Sequence, residues 1–245
     1  MALEIPAGAV EALRQSRHVL VLTGSGASAE SGVPTFRDAQ SGLWAQYDPL
    51  ELATPDAFVK DPALVWRWYR WRRELVSGVE PNAGHFALAE LEGLVNRLTL
   101  VTQNVDGLHQ KAGSSDVVEF HGSLFATRCF VEGTASDDDD GSATPRCGIC
   151  GGHLRPGVVW FGESIPETEL QTAATAAIDC DVFLSIGTSS LVWPAAGLAE
   201  AAARSGATVI EINTDPTPLS AESHFVIQGK SGEVLPELVN CLAVQ

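Results

Sequence analysis

The chain has 245 residues, 45% of them hydrophobic, enough to bury the core of one large domain or of a domain carrying an inserted module. A formal charge of −16 would repel a phosphate backbone, which argues against direct nucleic-acid binding. No run of 18 apolar residues occurs and the N-terminal stretch lacks an export signal, so a soluble cytoplasmic protein with no membrane partner is expected.

In chain order, a helical pattern around "EALRQS" precedes "HVLVLTG" (18 to 24), a short apolar run closed by glycine that fits a buried parallel strand. Residues 36 to 80 hold aromatics and helix signals without a clear strand. A helix pattern follows over 84 to 95, then strand-like "LTLVT" (98 to 102) and the polar loop "TQNVDGLH". The run "VVEFHGS" (117 to 123) leads into residues 122 to 157, which contain Cys129, Cys147, Cys150 and the Asp137 to Asp140 run, expected to be a solvated loop tip. Helix patterns at 168 to 178 and 194 to 206 then alternate with strands at 181 to 187 and 207 to 213. Such alternation implies an α/β fold, a parallel sheet with helices on both faces, interrupted at 36 to 80 and at 122 to 157.

Gly24 and Gly26 follow the first strand and are themselves followed by small residues, as a phosphate-cradling loop requires, although a tight strand-to-helix turn needs the same residues. Two further strand ends, "IGTSS" (186 to 190) and "EINTD" (211 to 215), carry small and polar residues, and loops at the carboxyl ends of parallel strands converge on one crevice. His121, also at a strand end, suits a general base because its ordinary pKa is near neutral; a structural hydrogen-bond donor is the plainer reading of one histidine. Five cysteines, an odd number without an export signal, point to thiols or a metal site instead of disulfides. Cys180 and Cys241 sit in apolar surroundings and read as core thiols.

"GSGASAESGVPTFRD", "TQNVDGLH", "HGS", "VVWFGE", "GTSS" and "IN" together resemble the sirtuins, NAD-dependent protein lysine deacylases, over about residues 14 to 240. The resemblance implies a single catalytic domain with a Rossmann-like core (about 1–35, 96–121 and 158–245). A small domain would combine a helical module (about 36–95) and a zinc-ribbon-like module (about 122–157).

It also implies that Gly24, Ala27 and Glu30 line the first NAD loop, that Phe36 and Arg37 cover the nicotinamide ribose, and that Gln103, Asn104 and Asp106 form the ribose and nicotinamide pocket. Gly187, Thr188, Ser189, Asn213 and Ser231 would hold the adenosine half. In sirtuins the acyl-lysine carbonyl oxygen attacks the nicotinamide ribose, and His121 would then serve as base on the ribose hydroxyls, giving 2′-O-acyl-ADP-ribose and free lysine. The acylated protein would bind as an extended peptide beside Val159, Trp160, Phe161, Gly162 and Val192.

Class III sirtuins carry Tyr-x-x-Arg and a preceding Ala-Thr-Pro, here Tyr69, Arg72 and Ala53, which implies acceptance of succinyl and malonyl as well as acetyl lysine. The family's zinc module reads CxxC…CxxC; here Cys129, Cys147 and Cys150 stand in place, with Glu132 where the fourth cysteine belongs. Three rival readings share the sheet and glycine loop: a hydride-transferring oxidoreductase, a mono-ADP-ribosyltransferase, and an NAD or ADP-ribose binding module without deacylase activity.

Overall fold

The computed structural model describes residues 4–34 and 48–243. Along the chain lie α1 (Ala7–Gln15), β1 (Val19–Thr23), α2 (Gly26–Ala29), α3 (Pro49–Leu52), α4 (Pro55–Lys60), α5 (Pro62–Ser77), α6 (Ala83–Leu94), β2 (Leu98–Thr102) and α7 (Leu108–Lys111). Then come β3 (Val117–Glu119), β4 (Gly122–Cys129), β5 (Leu154–Val158), α8 (Glu167–Asp179), β6 (Val182–Ile186), α9 (Ala196–Arg204), β7 (Thr208–Asn213), β8 (Phe225–Gln228) and α10 (Ser231–Ala243).

Six strands form a parallel sheet in the order β3-β2-β1-β6-β7-β8, while β4 and β5 pair antiparallel as a separate ribbon. The order reverses between β1 and β6, the switch point at which open parallel sheets bind ligands. Every residue of β1 and β6 is buried, as expected of strands covered on both faces. Alternation divides them: Val19 and Val21 join α1, α6 and α10 in one apolar layer, and Leu20 and Leu22 join α8 and α9 in the other.

A third core draws Phe58, Val65, Trp66, Trp68 and Tyr69 of the first interruption together with Leu124, Cys129, Cys147, Leu154 and Trp160 around the second. The two interruptions therefore share one interior. Within α5 the side chain of Asp61 caps the N-terminus through Leu64 N–H (2.9 Å), and Trp66 Nε1 donates to the Leu154 carbonyl (2.8 Å).

Two expectations are corrected. Helix α6 falls inside the range assigned to the helical module, yet Ala87, Leu88 and Leu91 pack into the sheet layer with α10. The apolar stripe of a helix does not say which neighbour it meets. In the Asp137 to Asp140 run, Asp137, Asp138 and Asp140 are exposed as expected, and Asp139 departs: its carboxylate pairs with Arg73 (3.1 Å) and Arg70 (3.5 Å) of α5 with its side chain 18% exposed. Among the described residues no helix is long and apolar enough to cross a membrane.

Candidate active site

Parallel register sets Thr23 beside both Thr102 and Ile186, and Ile186 beside Ile212, so β1, β2, β6 and β7 end in a row. The residues that follow, Gly24, Gln103, Gly187 and Asn213, therefore emerge side by side. They open onto a cavity of about 1340 Å³, larger than the ~300–1,000 Å³ usual for one small ligand and roomy enough for two reactants.

Close approach of backbones explains the first glycines. Gly26 N–H donates to the Gly187 carbonyl (2.8 Å), and a Cβ on Gly24 would stand 2.8 Å from that oxygen and from Thr188 Cα. The β1 and β6 loops thus lock together only while both are bare. Gln103 Nε2 donates to Thr188 Oγ1 (2.9 Å), and Asn213 Nδ2 donates to the Thr188 carbonyl (2.8 Å), tying the remaining strand ends to the same pair of loops. Gly24, Gln103, Asn104, Asp106, Gly187, Thr188, Ser189 and Asn213 all line the cavity.

Ala27, Glu30 and Ser231, expected from the resemblance to contact NAD, are not among the residues that line the cavity. Ala27 is buried within α2, its carbonyl taken by Asn82 Nδ2 (2.8 Å). Glu30 faces the start of α10, where its carboxylate accepts from Gly232 N–H (2.7 Å) and lies 3.5 Å from Ser231 Oγ. A carboxylate at a helix N-terminus is favourable without any ligand. Phe36 and Arg37 lie outside the described residues.

A buried polar network fixes Asn104. Its N–H donates to Thr102 Oγ1 (3.1 Å), and its Nδ2 donates to the Gly24 carbonyl and to Ser28 Oγ (each 3.0 Å), which leaves Oδ1 for the cavity. Ser28 Oγ donates to Asp106 Oδ2 (2.8 Å), whose other oxygen accepts from Leu108 N–H (3.0 Å). His85 Nδ1 accepts from Asn82 N–H (3.2 Å), so Nε2 carries the proton and faces Ser28 Oγ at 3.3 Å. Behind it Thr23 Oγ1 donates to Thr102 Oγ1 (2.8 Å), which makes Thr23 the acceptor for His109 Nε2 (2.9 Å). His109 Nδ1 is buried without a partner among the described residues, and burial followed by repulsion from His85 pushes the His109 pKa down to about 3. Sequence reasoning marked His109 in the polar loop without giving it a role and placed neither Ser28 nor His85 in the site. Ser28 and His109 lie inside motifs that signalled a ligand; His85 does not.

His121 follows β3 and borders the cavity. A carbonyl can only accept, so the 3.1 Å contact to the Gln103 oxygen puts the proton on Nδ1 and leaves Nε2 as a free base. Burial lowers the His121 pKa, opposed by the Gln103 hydrogen bond, so the ring is neutral at neutral pH. The next residue has to be glycine: Gly122 has φ +75°, and a Cβ there would lie 2.2 Å from the Gly157 carbonyl. Val159 N–H donates to the His121 carbonyl (2.8 Å), coupling the base to the "VVWFGE" segment.

Val159, Trp160, Phe161, Gly162 and Val192 line the opposite wall, with Phe161 N–H held by the Ala53 carbonyl (3.0 Å). Phe161, Leu191, Val192 and Trp193 keep 47%, 56%, 41% and 69% exposure, an apolar rim at a cavity mouth. Ala53, Tyr69 and Arg72 border the same cavity, the Arg72 guanidinium lying 5.1 Å from the Trp68 ring and 5.9 Å from the Tyr69 ring.

Remote from the cavity, the ligand atoms of Cys129, Cys147 and Cys150 lie within 4.8 Å of one another, with Cys129 and Cys150 sulfurs 3.4 Å apart. Zn–S bonds of about 2.3 Å in a tetrahedron put sulfurs roughly 3.8 Å apart, so the cluster fits a zinc ion. Glu132 reaches it through its backbone, N–H to Cys129 Sγ at 3.4 Å, while its side chain is exposed. Cys180 lies apart in the core, its thiol pushed up to about 11 by burial.

A family model described as the Sir2 family matches residues 24–194. NAD-dependent protein deacylase 1 of Pseudomonas aeruginosa is 51% identical over 240 residues, covering 94% of this chain and 96% of that protein. NAD-dependent protein deacylase 2 of Pyrobaculum aerophilum is 51% identical over 229 residues, covering 93% and 92%. Among solved structures, a complex of a Sir2 homologue with NAD is 44% identical with a TM-score of 0.91 over 98% of this chain and 94% of its own. A Sir2 protein bound to a deacetylated p53 peptide and 3′-O-acetyl-ADP-ribose is 30% identical with a TM-score of 0.81, covering 95% and 96%.

Proposed function

The chain belongs to the Sir2 family, and from that premise we infer that it is an NAD-dependent protein lysine deacylase, using the strand-end cavity to bring NAD and an acylated lysine together. The observation that carries the assignment to this cavity is the neutral His121 ring, fixed through Nδ1 with Nε2 free where four strand-end loops meet.

NAD, the consumed co-substrate, supplies an electrophilic ribose carbon and nicotinamide as leaving group. The interlocked loops of Gly24 and Gly187 border the diphosphate, and Thr188, Ser189 and Asn213 supply polar contacts at the adenosine end. Gln103, Asn104 and Asp106 define the nicotinamide end, Asn104 presenting Oδ1 from a fixed backbone. His121 Nε2 takes a proton from a ribose hydroxyl, which makes that oxygen the nucleophile for the acyl carbon.

The acylated protein enters as an extended peptide, pairing with the main chain of Val159 to Gly162 on one side and with Val192 on the other, which gives affinity with little sequence preference. Tyr69 and Arg72, a phenol and a guanidinium on consecutive turns of one helix, form a site for an acyl carboxylate, and Ala53 leaves space for the longer chain. Succinyl and malonyl lysine therefore join acetyl lysine as substrates. Cys129, Cys147 and Cys150 hold a structural zinc with an outer oxygen ligand, Glu132 or water, and take no part in acyl transfer.

The test is incubation of purified protein with NAD and matched acetyl- and succinyl-lysine peptides, following peptide mass and nicotinamide. NAD-dependent loss of the acyl group with formation of O-acyl-ADP-ribose is expected. Nicotinamide release without deacylation overturns the reading.

A further inference from the structure

A phenol attracts a carboxylate only when it turns its proton, and not a lone pair, towards it. In this protein the orientation of the Tyr69 hydroxyl is decided by its neighbour across the third core. Trp160 Nε1 donates to Tyr69 Oη at 2.9 Å, both residues being 1% exposed. An indole N–H donates and never accepts, so it fills a lone pair of the hydroxyl and forces the phenolic proton to point elsewhere. That proton finds no acceptor among the described residues, and Tyr69 borders the cavity beside Arg72. Burial raises the Tyr69 pKa to about 12, which keeps the proton in place at neutral pH.

The indole is itself held from behind. The Arg155 guanidinium lies over the Trp160 ring, 3.3 Å from its centroid, and its side chain is 3% exposed. Arg155 donates to both oxygens of Glu163 and to the Val158 carbonyl (2.7 Å). The same Glu163 accepts from Trp160 N–H (2.8 Å) and from Arg128 (3.2 Å). One carboxylate thus fixes the Trp160 backbone directly and its ring through Arg155.

We propose that Trp160, clamped by Arg155 and Glu163, is a positioning residue for acyl-group selection: it turns the Tyr69 O–H into the cavity and thereby favours acyl chains that end in a carboxylate. The proposal rests on the Tyr69–Arg72 reading given above. Glu163 and Arg155 act one step further back, on the indole.

Trp160→Phe retains a ring for Arg155 to cover and removes the directing N–H, together with part of the buried ring volume. Steady-state rates are measured with succinyl-lysine, with its terminal carboxamide analogue and with acetyl-lysine peptides. Trp160→Phe is expected to lower the succinyl-to-acetyl ratio of kcat/KM about 10-fold, the value of one directed hydrogen bond, chiefly through KM for the succinyl peptide. Combined with Tyr69→Phe it should lower the ratio no further than Tyr69→Phe alone, because both act on one hydroxyl.

A ratio within about twofold of wild type in Trp160→Phe, while Tyr69→Phe lowers it, overturns the role of Trp160 and leaves the carboxylate site standing. Equal handling of succinyl and carboxamide peptides by the unmodified protein removes the carboxylate site and the proposal with it. Should Trp160→Phe fail to fold, Glu163→Gln leaves the indole present and loosens its clamp; an unchanged ratio in that variant likewise overturns the proposal.

Discussion

His109 makes a sharp prediction about acid stability. Its ring is buried between Thr23 and His85, with Nδ1 lacking a partner among the described residues, and its pKa is lowered from 6.5 to about 3. Between those values the unfolded chain binds a proton that the folded chain refuses, so stability rises with pH; it is complete above about 6.5 and is lost as pH falls towards 3. Each unit costs about 1.4 kcal/mol, so the full window amounts to about 5 kcal/mol from this one ring, comparable with the total stability of many domains. His109→Gln offers an amide N–H to Thr23 and cannot titrate. Urea unfolding of the two proteins at pH 8, 7, 6, 5 and 4.5 isolates the effect, since every other titrating group is common to both. The difference in stability should be constant above pH 7 and shift in favour of the variant by about one proton's worth per pH unit below 6. A difference that does not change across the range refutes the claim that His109 is held neutral.

His121→Ala should lower kcat by ~10² to 10⁴ with little change in melting temperature, and near-normal turnover by folded protein would reject it as the base. In the unmodified enzyme the acidic limb of kcat/KM should lie below the ordinary histidine value of 6.5, because burial lowers the His121 pKa; a limb above it contradicts that environment. Gly122→Ala must move the Gly157 carbonyl or leave a positive φ, costing on the order of 1–3 kcal/mol in denaturant unfolding and reducing activity as well. Arg72→Met should weaken desuccinylation selectively, and equal losses on acetyl and succinyl peptides would deny a carboxylate contact. Protein purified without added zinc should contain close to one equivalent by elemental analysis, falling sharply in Cys150→Ser; metal-free folded protein would exclude the site.

The sheet was legible because strands buried on both faces are continuous apolar runs: β1, β2, β6 and β7 each fall inside a run marked from sequence, and the glycines after β1 and β6 mark where backbones meet. The cysteine cluster was legible through the family resemblance, since Cys129, Cys147 and Cys150 stand where its zinc module carries cysteines. What escaped was the pairing of individual polar side chains at distant positions. Asp139 finds Arg73 across 66 residues, Trp160 finds Tyr69 across 91, and Gly232 of α10 finds Glu30 across 202. Local pattern carries no information about such partners; an aspartate run looks solvated until a guanidinium is placed beside it. His85 escaped for a related reason, since buried histidines are recognised by what surrounds them, and its ring contact with His109 at 4.8 Å joins α6 to α7.

The junction between β1 and β6 has a consequence for synthesis. Val19 to Thr23 pairs with Val182 to Ile186, strands separated by nearly two thirds of the chain. At ~5–20 residues per second, roughly 160 further residues must be translated before β6 leaves the ribosome, on the order of ten seconds or more. Through that interval the central strand carries an open apolar edge, the kind that recruits other chains. The same adjacency that creates the crevice therefore makes the nascent polypeptide a client for chaperones, and a truncation before Val182 should aggregate instead of folding into a smaller sheet.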